Sequence, residues 1–198
     1  NGLSMLPRVD QRSNWAGWRT LSESIHSYGA LFFMQLTAGM GRVGSPECLV
    51  NKHKLPVSAS WNPNFYIPQI PSRPLGFLEI RRLVKNTGQA AANARELLVD
   101  GVYLHGHEGY LLEQMSNPAF NRRLFGPYRN WQRFGIDLVR EIRKRCGSGY
   151  PVMYRIDLSL MLNATYNERM KTVRSLRKFR NERTIEMTLD YIKNLVAA

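Results

Sequence analysis

The chain of 198 residues is short of cysteine, of acidic residues and of long apolar runs. Its two cysteines, Cys48 and Cys146, stand far apart, which excludes a disulfide scaffold or a cysteine-rich metal site within the chain. One remote bridge or two reduced thiols remain, and reduced thiols fit a cytoplasmic protein. No stretch approaches the roughly 20 apolar residues of a membrane span; the longest such run near the start is Ala30 to Met34. The opening residues carry Pro7, Arg8 and Asp10 and do not read as a secretory signal. They also lack an initiator Met, so a chain cut from something longer is expected. No G-x-G-x-x-G opens a helix after a strand, and there is no serine nucleophile elbow.

Lys and Arg number 28 against 15 Asp and Glu, a net charge of +13, with 43% apolar and 22% charged residues. That is globular composition with a surplus suited to anionic ligands or an acidic partner. The densest basic block, Arg169 to Arg183, places its cations around a helix rather than along one stripe, so it reads as a solvated face.

Apolar spacing predicts a helix through Trp18, Leu21, Ile25 and Tyr28, capped by Ser13 or Asn14 and stopped at Gly29. Leu31 to Leu36 reads as a buried strand. Residues 39–77 hold six of the ten prolines and no sustained period, which suggests a long cover loop. A helix follows from about Leu78 to Leu98, then a strand over Val102 to His105 and the polar turn His105 to Tyr110. Trp131, Phe134, Leu138 and Ile142 mark another helix ending at Gly147, Pro151 to Ile156 a third strand, and a last helix starts near Thr184. Alternating helices and strands apolar on both faces imply an α/β fold with a parallel sheet. Three strands cannot close a (β/α)₈ barrel by themselves.

Ligands collect at the C-terminal ends of such strands. Gln35, the His105–Tyr110 turn and Arg155 stand there, although each has a purely structural use, Arg155 as a partner of Asp157. His105, His107 and Glu108 offer metal-ligand atoms, but no third nitrogen or sulfur has suitable spacing, and i,i+2 spacing sets the two His side chains apart along any regular element. No metal is therefore expected.

The succession Gln35-Leu36-Thr37-Ala38-Gly39-Met40-Gly41-Arg42, Asp100 to Leu111, Asn121-Arg122-Arg123, Asn130 to Phe134 and Tyr154-Arg155 resembles the Old Yellow Enzyme superfamily. Its 2-enoate and dienoyl-CoA reductase branch is the nearest match, and the resemblance runs over nearly the whole chain. It implies a partial (β/α)₈ barrel, about strands 3 to 5, forming one segment over residues 1–198 truncated at both ends. The implied activity is FMN-dependent reduction of the C=C bond of a 2-enoate or enoyl-CoA with NADH. By motif position Gln35 would bond the flavin pyrimidine edge and Arg155 would stand beside flavin N1 and O2. His105 would hold the substrate carbonyl, and Tyr110 would give a proton to Cα, since a phenol keeps its proton at neutral pH. Glu108 departs from the usual second substrate contact, and Asn121 falls at a further substrate position. FAD and a 4Fe-4S cluster are expected in the parent protein, not in this segment, since two cysteines cannot ligate the cluster. The partner implied is a small-molecule enoate rather than a membrane or nucleic acid, in a parent that could be a homo-oligomer. Leu98 replaces a glycine or small residue at a helix end and would strain that cap. Two rival readings are a basic polyanion-binding module, whose affinity would fall with salt, and an inactive truncated scaffold.

Overall fold

The helix expected early in the chain forms over Trp15–His26 (α1), and Gly29, at φ +71°, turns the backbone out of it. The computed structural model describes residues 7–44, 53–158 and 181–198. Asn14 stands at the N-cap of α1 without capping it. Its amide donates instead to Arg8 O at 3.0 Å, and a 3₁₀ turn over Arg12–Asn14 runs straight into the helix.

Three strands form the main sheet: Phe33–Leu36 (β1), Gly101–Gly106 and Val152–Ile156. Between β1 and the second of these lie three short strands, Val57–Ser58 (β2), Asn62–Pro63 (β3) and Pro71–Pro74 (β4), and the long helix Phe77–Glu96 (α2). The later strands are thus β5 and β6, separated by the short helix Leu111–Met115 (α3) and by Arg133–Cys146 (α4). Ile185–Val196 (α5) comes last. The main sheet runs β1-β5-β6, parallel throughout, as expected.

Among the described residues, helices cover only one face of it. Met34, Leu36, Val102 and Leu104 are buried in one cluster with Ile80, Val84, Ala91, Phe134, Leu138 and Ile142 of α2 and α4. The strands are therefore not apolar on both faces, as their composition suggests. Side chains alternate across a strand, and the opposite set includes the exposed Gln35, Met153 and Arg155. Close helix packing depends on Gly88, where a Cβ would run into Glu141 Cγ and Arg145. The hydroxyls of Tyr154 and Tyr191, 2.8 Å apart, tie β6 to α5.

The proline-rich stretch is not a plain loop. Within it β4 pairs parallel with β2 and antiparallel with β3. Strands of two to four residues are too short to show a period, and prolines are tolerated at strand ends. Glu79 fastens this small sheet to α2 by accepting from Gly76 N at 2.7 Å and from both Nη atoms of Arg73. The Arg73 guanidinium first, then the Gly76 amide, hold the Glu79 carboxyl down at about 2.

Leu98 occupies the left-handed region, φ +63°, with its side chain partly exposed. Left-handed backbone costs a branched residue about 1–2 kcal/mol. Leu98→Gly should therefore stabilise the fold by about 1 kcal/mol, less the unfolded-state entropy of glycine, seen as a raised thermal midpoint. Among the described residues no helix is long and apolar enough to cross a membrane.

Candidate active site

Parallel pairing sets Gln35 opposite Tyr103 and His105 opposite Arg155. The two-residue period then puts Gln35, Tyr103, His105, Met153 and Arg155 on the sheet face that the helices leave open. Gln35 lines a cleft of about 940 Å³ together with Thr37 to Gly41, the glycine-containing turn after β1.

The turn after β5 gathers the remaining groups. His105 ends the strand buried, 6% exposed, and neither ring nitrogen has a hydrogen-bond partner among the described residues. Regular strand stops at Gly106, then Glu108 and Gly109 take positive φ values of +60° and +71°. His105 and His107 meet, against the expectation that they stand apart: their ring centroids are 5.1 Å from each other. On its other side His105 meets the Tyr110 ring at 4.7 Å. Glu108 Oε1 lies 3.0 Å from His107 Nε2 and 3.7 Å from Arg155 Nη2, and Oε2 lies 4.0 Å from His105 Nε2. Arg155 thus approaches Glu108, while Asp157 takes a different partner. Asp157 Oδ1 accepts from His107 Nδ1 at 3.0 Å, and Oδ2 accepts from Glu108 N at 3.1 Å.

Burial, then the neighbouring His107 and Arg155, hold the His105 imidazole below its ordinary range despite the opposing pull of Glu108. A neutral ring at that place can donate one N–H to an oxygen and present one lone pair.

Asn121, expected at a substrate position, has a structural use for its amide N–H groups. It is buried, and its amide donates to Met115 O at 2.8 Å and Tyr128 O at 2.9 Å, which braces the loop after α3. Only its Oδ1 lacks a partner among the described residues.

Two buried side chains unread in the sequence hold the site's loops. Gln114 accepts at Oε1 from Arg42 N and Ser58 Oγ and donates from Nε2 to Gly109 O and Met40 O. It joins the turns after β1 and β5 to the small sheet, and Gly41 must lack a Cβ to admit its amide. Arg183 is 1% exposed, which corrects the solvated-face reading at that residue; the block's 169–180 lie outside the described residues. Arg183 donates to Asp157 O at 2.6 Å, Ser116 O at 2.9 Å and Thr188 Oγ1 at 2.9 Å, and stands 3.5 Å from Glu113 Oε2. Burial pushes the Glu113 carboxyl up to about 7. The attraction of Arg183 opposes that shift but is divided among several acceptors. A lone acid in the apolar run Leu111-Leu112-Glu113-Gln114-Met115 was the available signal for a buried partner.

Over residues 1–195 the chain matches the NADH:flavin oxidoreductase / NADH oxidase family. It is 39% identical over 142 residues to cinnamate reductase of Clostridium sporogenes, covering 70% of this chain and 21% of that protein. It is 34% identical over 151 residues to an NADH oxidase of Thermoanaerobacter brockii, covering 75% and 23%. The Old Yellow Enzyme from Pichia sp. AKU4542 superposes with a TM-score of 0.65 at 21% identity, covering 75% of this chain and 41% of that one. The likeness makes the three-stranded sheet part of a (β/α)₈ barrel. The chain spans about a fifth of the length of the two curated relatives.

Proposed function

The chain belongs to the NADH:flavin oxidoreductase / NADH oxidase family, and on that premise we propose that it carries the reacting face of a larger FMN-dependent ene-reductase. The substrate is a 2-enoate, as the free acid or thioester, and NADH is the electron source. The observation that carries this reading is the shared open face: Gln35, His105 and Arg155 stand together at the C-terminal ends of three adjacent parallel strands.

The donor set fits FMN. An amide at Gln35 can both donate to and accept from the flavin's pyrimidine edge, and the exposed Arg155 guanidinium suits a ring region that becomes anionic on reduction. When bound, FMN supplies a hydride from N5 to the substrate's Cβ. His105 donates an N–H to the carbonyl oxygen, so that negative charge developing there is met by a buried donor without another partner among the described residues. Tyr110, packed against His105, delivers its hydroxyl proton to Cα, which completes addition of two electrons and two hydrogens across the double bond. Glu108 borders the same oxygen position and bears on the choice of acyl group. A four-iron cluster does not fit this segment, because four thiolates are needed and it has two cysteines. No step here is assigned to such a cluster or to FAD.

Arg155→Ala in the full-length protein tests the flavin assignment. One charge-assisted hydrogen bond is worth about 1.5–3 kcal/mol, so losing it should lower the flavin midpoint potential by about 30–65 mV. An unaltered spectrum and potential would remove Arg155 from the flavin.

A further inference from the structure

His107 takes no part in the reduction proposed above, yet three ligand-type side chains close on one point beside it. One coordinating atom from each of His105, His107 and Glu108 lies within 4.8 Å of the other two. His107 is oriented from behind. Its Nδ1 lies 3.0 Å from Asp157 Oδ1, which holds the ring with Nε2 turned toward Glu108. Metal-ligating histidines are fixed in tautomer by just such a carboxylate. That Nε2 faces Glu108 Oε1 at 3.0 Å, and no hydrogen bond joins them. His105 faces the same carboxylate with its side chain 7% exposed, its Nε2 4.0 Å from Glu108 Oε2 and both ring nitrogens unpartnered among the described residues.

We propose that His105, His107 and Glu108 form a binding site for a divalent transition-metal ion of the zinc type, with Asp157 positioning His107. Two imidazoles and a carboxylate are a familiar zinc ligand set, and tetrahedral bonds of about 2.0–2.2 Å put ligand atoms roughly 3.3 Å apart. His107 Nε2 is 3.0 Å from Oε1, near that value, His105 Nε2 is 4.0 Å from the other oxygen, and Glu108, 54% exposed, has room to adjust. Arg155 is the competing cation, 3.7 Å from Glu108 Oε1, and its 43% exposed side chain has room to swing away. The metal site does not depend on the flavin. Because His105 is also assigned the substrate oxygen, ion and substrate exclude each other, and the metal acts as an inhibitor rather than a reactant.

Zinc binding to the full-length protein, followed by calorimetry, tests this against His107→Ala and the isosteric Glu108→Gln. The wild type should show a site whose affinity drops at least tenfold in either variant, and bound Co²⁺ should show visible absorption that both variants lose. Where the protein turns over an enoate, zinc should inhibit competitively. Glu108→Gln keeps the test valid if His107→Ala fails to fold, as circular dichroism would report. Equal zinc stoichiometry and affinity in wild type and variants would overturn the proposal. So would a wild type that binds no zinc. Absent enoate turnover with the zinc difference intact would sink the reductase reading alone.

Discussion

Replacing Tyr110 by Phe in the full-length protein should cut enoate turnover by about 10²–10⁴-fold, the usual contribution of a positioned general acid, while NADH still reduces the bound flavin at nearly its original rate. The substitution is narrow because Tyr110 is held by its backbone and ring. It stands at the N-cap position of α3, its N–H donates to His107 O at 3.3 Å, and its carbonyl accepts from Gln114 N at 2.9 Å. The next residue, Leu111, donates to Gly39 O at 3.1 Å and so links the turns after β5 and β1. Phe keeps the 4.7 Å packing against His105 and removes only the hydroxyl. Stopped-flow separation of the two half-reactions checks the result. Slowing of both halves alike would point to a displaced flavin, and unchanged turnover would take Tyr110 out of the proton-donor role.

The second large effect concerns stability. Arg183→Met should destabilise the barrel segment by about 3–5 kcal/mol, because it leaves a buried carboxylate without its cation and removes the donor to Ser116 O, Thr188 Oγ1 and the part-buried Asp157 O. Replacing Glu113 by Leu as well should recover much of that loss. Glu113 also ties stability to pH. Its folded value of about 7 lies above the ordinary 4.5, so the native state holds this proton more tightly than the unfolded chain. The stabilisation is complete below the unfolded value and declines as pH rises through the folded one. Glu113→Gln should flatten that slope, and the Arg183→Met loss should be largest above pH ~7, where Glu113 would otherwise ionise unpaired. Hydrogen exchange of α3 and thermal midpoints across this window report both effects.

Legibility from sequence tracked element length and the sign of burial. The helices through Ile80 and Val84 and through Phe134 and Leu138 were readable because many turns repeat the same apolar spacing. Gln35, His105 and Arg155 were readable as strand-end polar residues, and the parallel register joins them on one face. Strands of two residues, and a five-residue helix such as Leu111–Met115, leave no period to detect. The open face was hidden too, since Phe33 and Met153 are apolar there. The strand ends at Gly106, between the two histidines, and the positive φ of Glu108 then folds the turn back; no spacing rule anticipates either. Arg183 was hidden by arithmetic: a cation in a basic block counts as solvated until a buried acid, Glu113, is found opposite it.

The most direct test is an anaerobic titration of the full-length protein watched in the visible spectrum. It should purify yellow, bleach on adding NADH, and regain its colour in proportion to added 2-enoate. A protein that binds no flavin, or whose reduced form stays bleached before every enoate acid and thioester offered, would contradict the assignment of Gln35, His105, Arg155 and Tyr110 to this chemistry.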